Sequence, residues 1–181
     1  QLVLVYRELF DGLGRRPTAR EVLAAGVGTK PVQQRFGTWF GFVDAMGDLQ
    51  DAEAAVLRDH AAWFSDLTTT AMNGSYKMVA LQSLLDLDAL HRSIPVAQLA
   101  AHSQGLLRRD PLLRAELAEH DAAGGDDAEF ARRWRRMPLQ ILEEAKTFST
   151  RSFRLEGEDF VSLLDVDPSL RDTFDAMTAE V

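Results

Sequence analysis

The chain has 181 residues, no cysteine and a formal net charge of −8. The lack of cysteine excludes disulfide bonds, thiol catalysis and cysteine-ligated zinc, and it is typical of proteins of the reducing cytoplasm. No apolar run reaches the roughly 18 residues of a membrane-spanning helix, and no signal peptide is recognisable, so we expect a cytoplasmic protein without a membrane partner. Because a helical pattern is already running at Gln1, we interpret the chain as a fragment of a longer protein.

The first 48 residues predict short helices that are separated by glycines. A threonine can cap the start of each helix after the first, at Thr18, Thr29 and Thr38, and a glycine ends each helix. The stretch RFGTWFGFVDAMG (35–47) is the most aromatic part of this region. Helical spacing predicts that its apolar side chains pack together and against the second helix, namely Phe36, Trp39, Phe40 and Val43 against Val22 and Leu23.

Helical patterns continue along most of the remaining chain. Residues 50–67 predict an amphipathic helix, and residues 76–90 predict a strongly apolar one with Met78, Leu81, Leu84 and Leu85 on its buried side. A linker is expected near residues 68–75, a flexible loop near 121–127, and one short β-hairpin around a Glu-Gly turn after Arg154. The sequence therefore predicts an all-α fold, with a helix-turn-helix-like subdomain at 1–48 and a larger helical bundle at 49–181.

The first subdomain resembles the small DNA-binding repeat associated with homing endonucleases, over about a quarter of the chain. The matching residues are Gly14, Arg15, Pro17, Thr18, Arg35, Phe36, Gly37, Trp39 and Gly47. The resemblance implies DNA binding through a short third helix, whose polar side chains can reach base edges and phosphates. The candidate contacts on that helix are Lys30, Gln33 and Gln34, and Arg15 and Arg16 flank a tight turn as phosphate contacts often do. The alternative for these five residues is a solvated surface without a ligand.

The rest of the chain resembles the accessory region downstream of the motor in some bacterial superfamily 2 helicases, which often carry a phospholipase-D-like nuclease domain. The likeness covers residues 68–100, LLRRDPLLRAEL and RRWRRMPLQ. The family's Met-Thr-Lys-Ser-Tyr-Lys-Met reads AMNGSYKM here (71–78), so Asn73 and Gly74 depart from it. A fainter likeness links the Tyr76–Lys77 helix to domains that sense phosphorothioate DNA.

Two clusters in this second region are candidate DNA contacts. The segment RRWRR (132–136) places Arg132, Arg133 and Arg136 around a tryptophan, and such residues can hold phosphates and stack on bases. Tyr76 and Lys77 begin a helix, where backbone N–H groups and a lysine together suit a phosphate. The alternatives are an inward-facing Trp134 with solvated or paired arginines, and a packed tyrosine beside a lysine that reaches to solvent.

No residues point to catalysis, a metal or a cofactor. The four histidines lack metal-ligand spacing, and neither a Walker A motif nor a DEAD or DEAH box is present, so the chain is not itself the ATPase. We expect a DNA-binding accessory fragment of a bacterial helicase or nuclease-helicase, with the motor domain of the same chain and DNA as partners, used in defence against foreign or damaged DNA. The acidic balance leaves a second hypothesis open, a protein-interaction module that docks the motor to another subunit.

Overall fold

The computed structural model describes residues 1–28, 30–69, 76–111, 113–114, 126–144 and 148–181. Their helices are, in chain order, α1 (Leu2–Leu13), α2 (Ala19–Ala24), α3 (Lys30–Phe36), α4 (Trp39–Ala45), α5 (Asp51–Thr69), α6 (Tyr76–Asp86), α7 (Val96–Arg109), α8 (Asp127–Trp134), α9 (Gln140–Glu143) and α10 (Arg171–Glu180). A π-helical turn, Arg135–Leu139, joins α8 to α9, and a 3₁₀ turn, Pro168–Leu170, precedes α10.

A small antiparallel sheet accompanies the helices. Its strands are β1 (Ile94–Pro95), β2 (Phe153–Glu156) and β3 (Asp159–Ser162), in the order β1–β3–β2. The expectation of a mainly helical fold is confirmed, and the sheet extends the expected hairpin by one strand. The hairpin signal marked β2 and β3, whereas the two residues of β1 are too few to carry an alternating pattern and pair with β3 across a long stretch of chain.

The chain divides into two compact units. Residues 1–69 and 167–181 form the first unit, and residues 70–166 form the second. This grouping differs from the expected division into 1–48 and 49–181, because α5 and α10 both pack with the first helices. The expected linker near 68–75 falls mostly outside the described residues, and α5 still includes Thr68 and Thr69. In the expected loop near 121–127, Asp126 already caps α8.

Local capping builds the helices of the first unit as the sequence indicates. Thr18 and Glu21 form a reciprocal capping box at the start of α2, and the Thr38 hydroxyl accepts a hydrogen bond from the Gly41 N–H at the start of α4. Gly37 turns the chain between α3 and α4 with a φ of +74°. Thr29, the expected cap of α3, lies outside the described residues.

Aromatic rings form the core of the first unit. The ring of Phe42 contacts those of Tyr6, Phe36 and Trp39 at centroid distances of 5.0, 5.1 and 5.6 Å. On the other side of α4, Phe40 packs on Phe64 of α5 at 5.3 Å. The predicted core of α4 is thus confirmed, with Trp39, Phe40 and Val43 buried.

Two parts of that predicted core packing differ in the structure. Phe36 is only half-buried, and Leu23 is exposed rather than packed against α4. Rings from α5 and α10 fill the place that α2 was expected to take, since Phe64 also contacts Phe174 of α10 at 5.7 Å. The aromatic stretch of α4 is therefore the packing centre of a unit larger than 48 residues.

The second unit centres on α6, α7 and α8, with the sheet beside them. Leu81 and Leu84 are buried on α6, as expected, but Met78 is 45% exposed and the helix ends at Asp86 rather than Leu90. Ser83 and Ser103 explain part of this orientation, because their buried hydroxyls share a 2.8 Å hydrogen bond between α6 and α7. The small serines let the two helices approach closely, and Met78 faces away from that contact.

Candidate nucleic-acid interface

Three arginines share one side of α8 and of the π-helical turn that follows it. Arg132, Arg135 and Arg136 are three and four residues apart, and the backbone keeps helical geometry until Met137. Phe130 and Trp134, also four apart, are buried on another side of the same helix, where their rings stack at 5.3 Å. Trp134 therefore anchors the helix, and only 3% of its surface is exposed. It offers no face to a nucleic-acid base.

Two arginines of this surface have no acidic partner within the described residues. Arg132 and Arg136 are exposed, and neither forms an ion pair with any residue that the structure describes. Arg133, in contrast, donates to the carboxylate of Glu129 one turn earlier, so that its charge is already paired. Of the three arginines that the sequence predicted here, the structure leaves Arg132 and Arg136 available.

Arg135 was not among the predicted contacts, but its surroundings are the most unusual. The side chain is half-buried, and its Nη1 atom is fully buried without a hydrogen-bond partner in the described part of the chain. Leaving a buried donor unsatisfied costs about 1 to 3 kcal/mol, and more for a charged group. The indole Nε1 of Trp134 is also buried and unpartnered within the described residues. The sequence signal that could have found Arg135 is its spacing of three from Arg132.

The structure brings the second predicted cluster of this unit to the same place. The ring of Tyr76, the first residue of α6, meets that of Trp134 edge to face at 5.9 Å. Tyr76 and the adjacent Lys77 are both half-buried. Tyr76 and the RRWRR segment, separated by more than 50 residues in the chain, are therefore neighbours in space. This contact was not predictable, because no local pattern relates two segments so far apart in the chain.

The predicted arginines of the first unit are held by carboxylates. Arg15 donates to both oxygens of Glu21, at 2.6 and 3.0 Å. The pKa of the Glu21 carboxyl falls to about 2, mainly because Arg15 donates to it and because the Thr18 N–H does so as well. This pair also supports the capping box of α2, so Arg15 has a structural role that the sequence did not indicate.

Arg16 lies in a more extensive network. It donates to both carboxylate oxygens of Glu53, at 2.6 and 2.7 Å, and to Glu180 of α10 at 2.7 Å. Its side chain is 19% exposed, and its guanidinium lies 5.7 Å from the centre of the Phe40 ring. The hydrogen bonds to Glu53 are the main reason why the pKa of Arg16 is raised. Glu180 also accepts from the Trp39 indole at 2.8 Å, so the network ties α10 to α4.

The pKa of the Glu53 carboxyl in this network is set by two opposing effects, burial and hydrogen bonding. Burial raises the pKa of Glu53, but hydrogen bonds from Arg16 and from the Gln50 N–H outweigh burial, and the pKa lies below its ordinary value. Two carboxylates therefore surround one guanidinium. A phosphate that approached Arg16 would have to displace them, so Arg16 is poorly suited to hold DNA.

The remaining predicted contacts of the first unit lie on α3. Lys30 and Gln34 are exposed on its surface. Gln33 is half-buried, and its amide donates to the Thr68 carbonyl oxygen at 2.9 Å, which ties α3 to α5. Arg35, which the sequence indicated only as a residue matching the DNA-binding repeat, is exposed beside Gln34. The exposed polar surface of α3, called the α3 surface below, thus consists of the basic residues Lys30 and Arg35 and the uncharged Gln34.

Comparisons with known proteins add no further assignment. The chain matches no protein-family model, no curated protein and no solved structure. Within the described residues, no helix is long and apolar enough to cross a membrane. The same residues contain no group of three or more histidine or acidic side chains placed to hold a metal ion. The arginine surface of the second unit and the α3 surface of the first are the two candidate sites.

Proposed function

We propose that the chain binds DNA as an accessory part of a larger bacterial helicase or nuclease-helicase. The observation that carries this proposal is the arginine surface, in which Arg132, Arg135 and Arg136 share one helix side and form no ion pair with any residue described. Arginine suits phosphate particularly well, since its planar fork of donors matches two phosphate oxygens. The resemblance to helicase accessory regions and to a DNA-binding repeat supports the same function.

Local charge has to supply the attraction. A protein of net charge −8 repels DNA at long range, and each contact must therefore come from arginines or lysines whose charge is not already paired. In our proposal the contacts in the second unit are Arg132, Arg135 and Arg136. Arg133 has a weaker case because Glu129 holds it.

The α3 surface is the proposed second contact. Lys30 and Arg35 supply charge there, and Gln34 is the residue with the chemistry to read a base edge. We leave Arg15 and Arg16 out of the proposed contacts, since Glu21, Glu53 and Glu180 occupy them. Gln33 is left out for the same reason, because Thr68 holds its amide.

Salt-dependent binding titrations test the proposal. Binding of a short duplex to the chain should weaken as salt rises, with a slope of about −0.9 for each phosphate contacted. The double variant Arg132→Glu/Arg136→Glu should flatten this slope by about two units. The matched control is Arg151→Glu/Arg154→Glu, which changes the charge equally within the same unit but removes arginines that pair with Glu143 and Glu156.

Three results decide the matter. A flattened slope in the first double variant with an unchanged slope in the control supports DNA binding at the arginine surface. Equal losses in both variants would mean that only overall charge matters, and the site assignment would be wrong. Undetectable binding of duplex and single-stranded DNA at low salt would refute the DNA proposal itself.

A docking module is the second candidate, because α1 presents apolar residues to solvent. Leu4 is 64% exposed and Val3 is 44% exposed on this helix. Apolar side chains exposed next to one another are typical of surfaces that contact another protein. If Leu4→Lys abolishes association with the rest of the parent protein while DNA binding is unchanged, the first unit is a docking module and DNA binding belongs to the second unit alone.

A further inference from the structure

We infer that Arg135, together with Arg132 and Arg136, forms a binding site for a single phosphate group. The identity of that phosphate as part of the DNA backbone rests on the proposed function. The existence of the site does not depend on it. The same chemistry would accept a free phosphate or a phosphorylated small molecule. Their helical spacing places the three arginines on one side of the helix, within little more than one turn.

The buried Nη1 atom of Arg135 is the first observation that points to a ligand. Buried donors in folded proteins are almost always satisfied, and an exception calls for an acceptor that the chain itself does not supply. Within the described residues neither a carboxylate nor a carbonyl oxygen accepts from this atom. A group with several acceptor oxygens would satisfy it, and a negative charge would also offset the half-buried guanidinium.

The neighbouring arginines decide the class of ligand. Arg132 and Arg136 are exposed on either side of Arg135 along the helix and carry no ion pair in the part of the chain that the structure describes. Three guanidiniums offer many donors in different directions, and a tetrahedral phosphate group has more acceptor oxygens to meet them than a planar carboxylate has. This arrangement therefore favours phosphate. The half-buried Arg135 would donate from its buried Nη1 atom, and the exposed Arg132 and Arg136 would bind the phosphate from the solvent side.

Replacing Arg135 by methionine gives the most specific test. Arg135→Met keeps an unbranched side chain but removes the unsatisfied donor, so the variant should melt at a higher temperature than the parent in chloride alone. Inorganic phosphate, added at constant ionic strength, should raise the melting temperature of the parent in a saturable way and that of Arg135→Met not at all. Any general salting effect of phosphate acts equally on both proteins and cancels in the comparison. The control Arg154→Met should keep the full response to phosphate.

A second measurement needs no destabilising change. Arginine-selective nitrogen NMR of the unaltered protein should show one guanidinium whose signals shift with phosphate at the same half-saturation as the melting response. That signal should be missing from the spectrum of Arg135→Lys, which keeps the charge but loses the planar fork. If Arg135→Met does not fold, this titration decides alone.

The outcomes separate the site from the proposed function. A phosphate response that requires Arg135, together with duplex binding that also requires it, supports both. A phosphate response without any DNA binding supports the site, assigns it to free phosphate or a phosphorylated small molecule, and refutes the DNA proposal. The site is refuted if Arg135→Met responds to phosphate as the parent does, whatever its melting temperature in chloride, or if no guanidinium signal shifts.

Discussion

Two clusters of arginines, one in each unit, have opposite surroundings. In the first unit, Arg15 and Arg16 are held by carboxylates, and Arg16 alone contacts two of them. In the second unit, Arg132 and Arg136 have no acidic partner among the described residues, and Arg135 has a buried donor without an acceptor. The comparison teaches that a pair of arginines beside a turn and a cluster of arginines on a helix look equally basic in sequence. Their neighbours in space decide whether they stabilise the fold or remain available for a ligand.

The largest expected effect is the loss of the Arg16 network. Arg16→Met leaves Glu53 and Glu180 without their cation, and we expect a loss of about 3 kcal/mol, the lower end of the range for breaking a buried ion pair, because Arg16 is 19% exposed. Arg132→Met should change the free energy of unfolding by no more than about 0.5 kcal/mol. Urea denaturation measures both values. Equal losses would remove the distinction between the two regions.

Two buried tryptophans, one in each unit, differ in the same way as the arginines. The Trp39 indole donates to Glu180, whereas that of Trp134 has no acceptor within the described residues. Substitution by phenylalanine removes the same volume at both sites, but only Trp39→Phe also breaks a hydrogen bond to a carboxylate. Trp39→Phe should therefore destabilise by about 2 kcal/mol more than Trp134→Phe. Chemical denaturation of both variants tests this, and a larger loss at Trp134 would show that its indole has a partner.

Acid should affect the first unit through its paired carboxylates. The pKa of Glu21 is about 2 in the folded chain, below its ordinary value of 4.5. A lowered pKa means that the stabilising contribution is complete above about pH 4.5 and is lost as pH falls towards 2. Unfolding monitored from pH 7 to pH 3 should show this loss, and Glu21→Gln should reduce the dependence on pH in that window. An unchanged dependence would mean that Arg15 does not hold Glu21 in solution.

The smallest expected effect concerns DNA. Because Arg15 is paired with Glu21, Arg15→Gln should leave the duplex affinity and its salt slope unchanged, while Lys30→Gln should flatten the slope by about one unit. Fluorescence anisotropy with a labelled duplex, measured over several salt concentrations, compares the two. A flatter slope for Arg15→Gln would return this arginine to the DNA contact that the sequence predicted.

Short-range features of the fold were predictable because their causes are local. A threonine followed three residues later by glutamate predicted the capping box of α2, and glycines predicted the turn at Gly37. Helical spacing predicted that Trp39, Phe40 and Val43 are buried. The same reasoning placed Met78 inside, and it failed there because the close contact between Ser83 and Ser103 sets which side of α6 faces α7.

The sequence identified the clusters of basic residues, but it did not show which of these residues are paired with carboxylates. Arg132 and Arg136 remain available, as the arginine density indicated, whereas Glu53 and Glu180 occupy Arg16 from 37 and 164 residues away. The spacing of three from Arg132 places Arg135 on the same side of the helix, but the burial of its Nη1 atom leaves no trace in a sequence pattern. Its distinction from Arg133 depends on Glu129, whose spacing of four was visible in the sequence.

Local sequence patterns are therefore sufficient to predict the mainly helical class, the caps, the glycine turns and the aromatic centre of α4, since each depends on residues within a few positions of one another. The folded structure is needed to show that α10 packs with the first helices, that Tyr76 contacts Trp134, and which arginines are neutralised. These depend on contacts between residues far apart in the chain, and the charge of an arginine becomes available or occupied only when such contacts form.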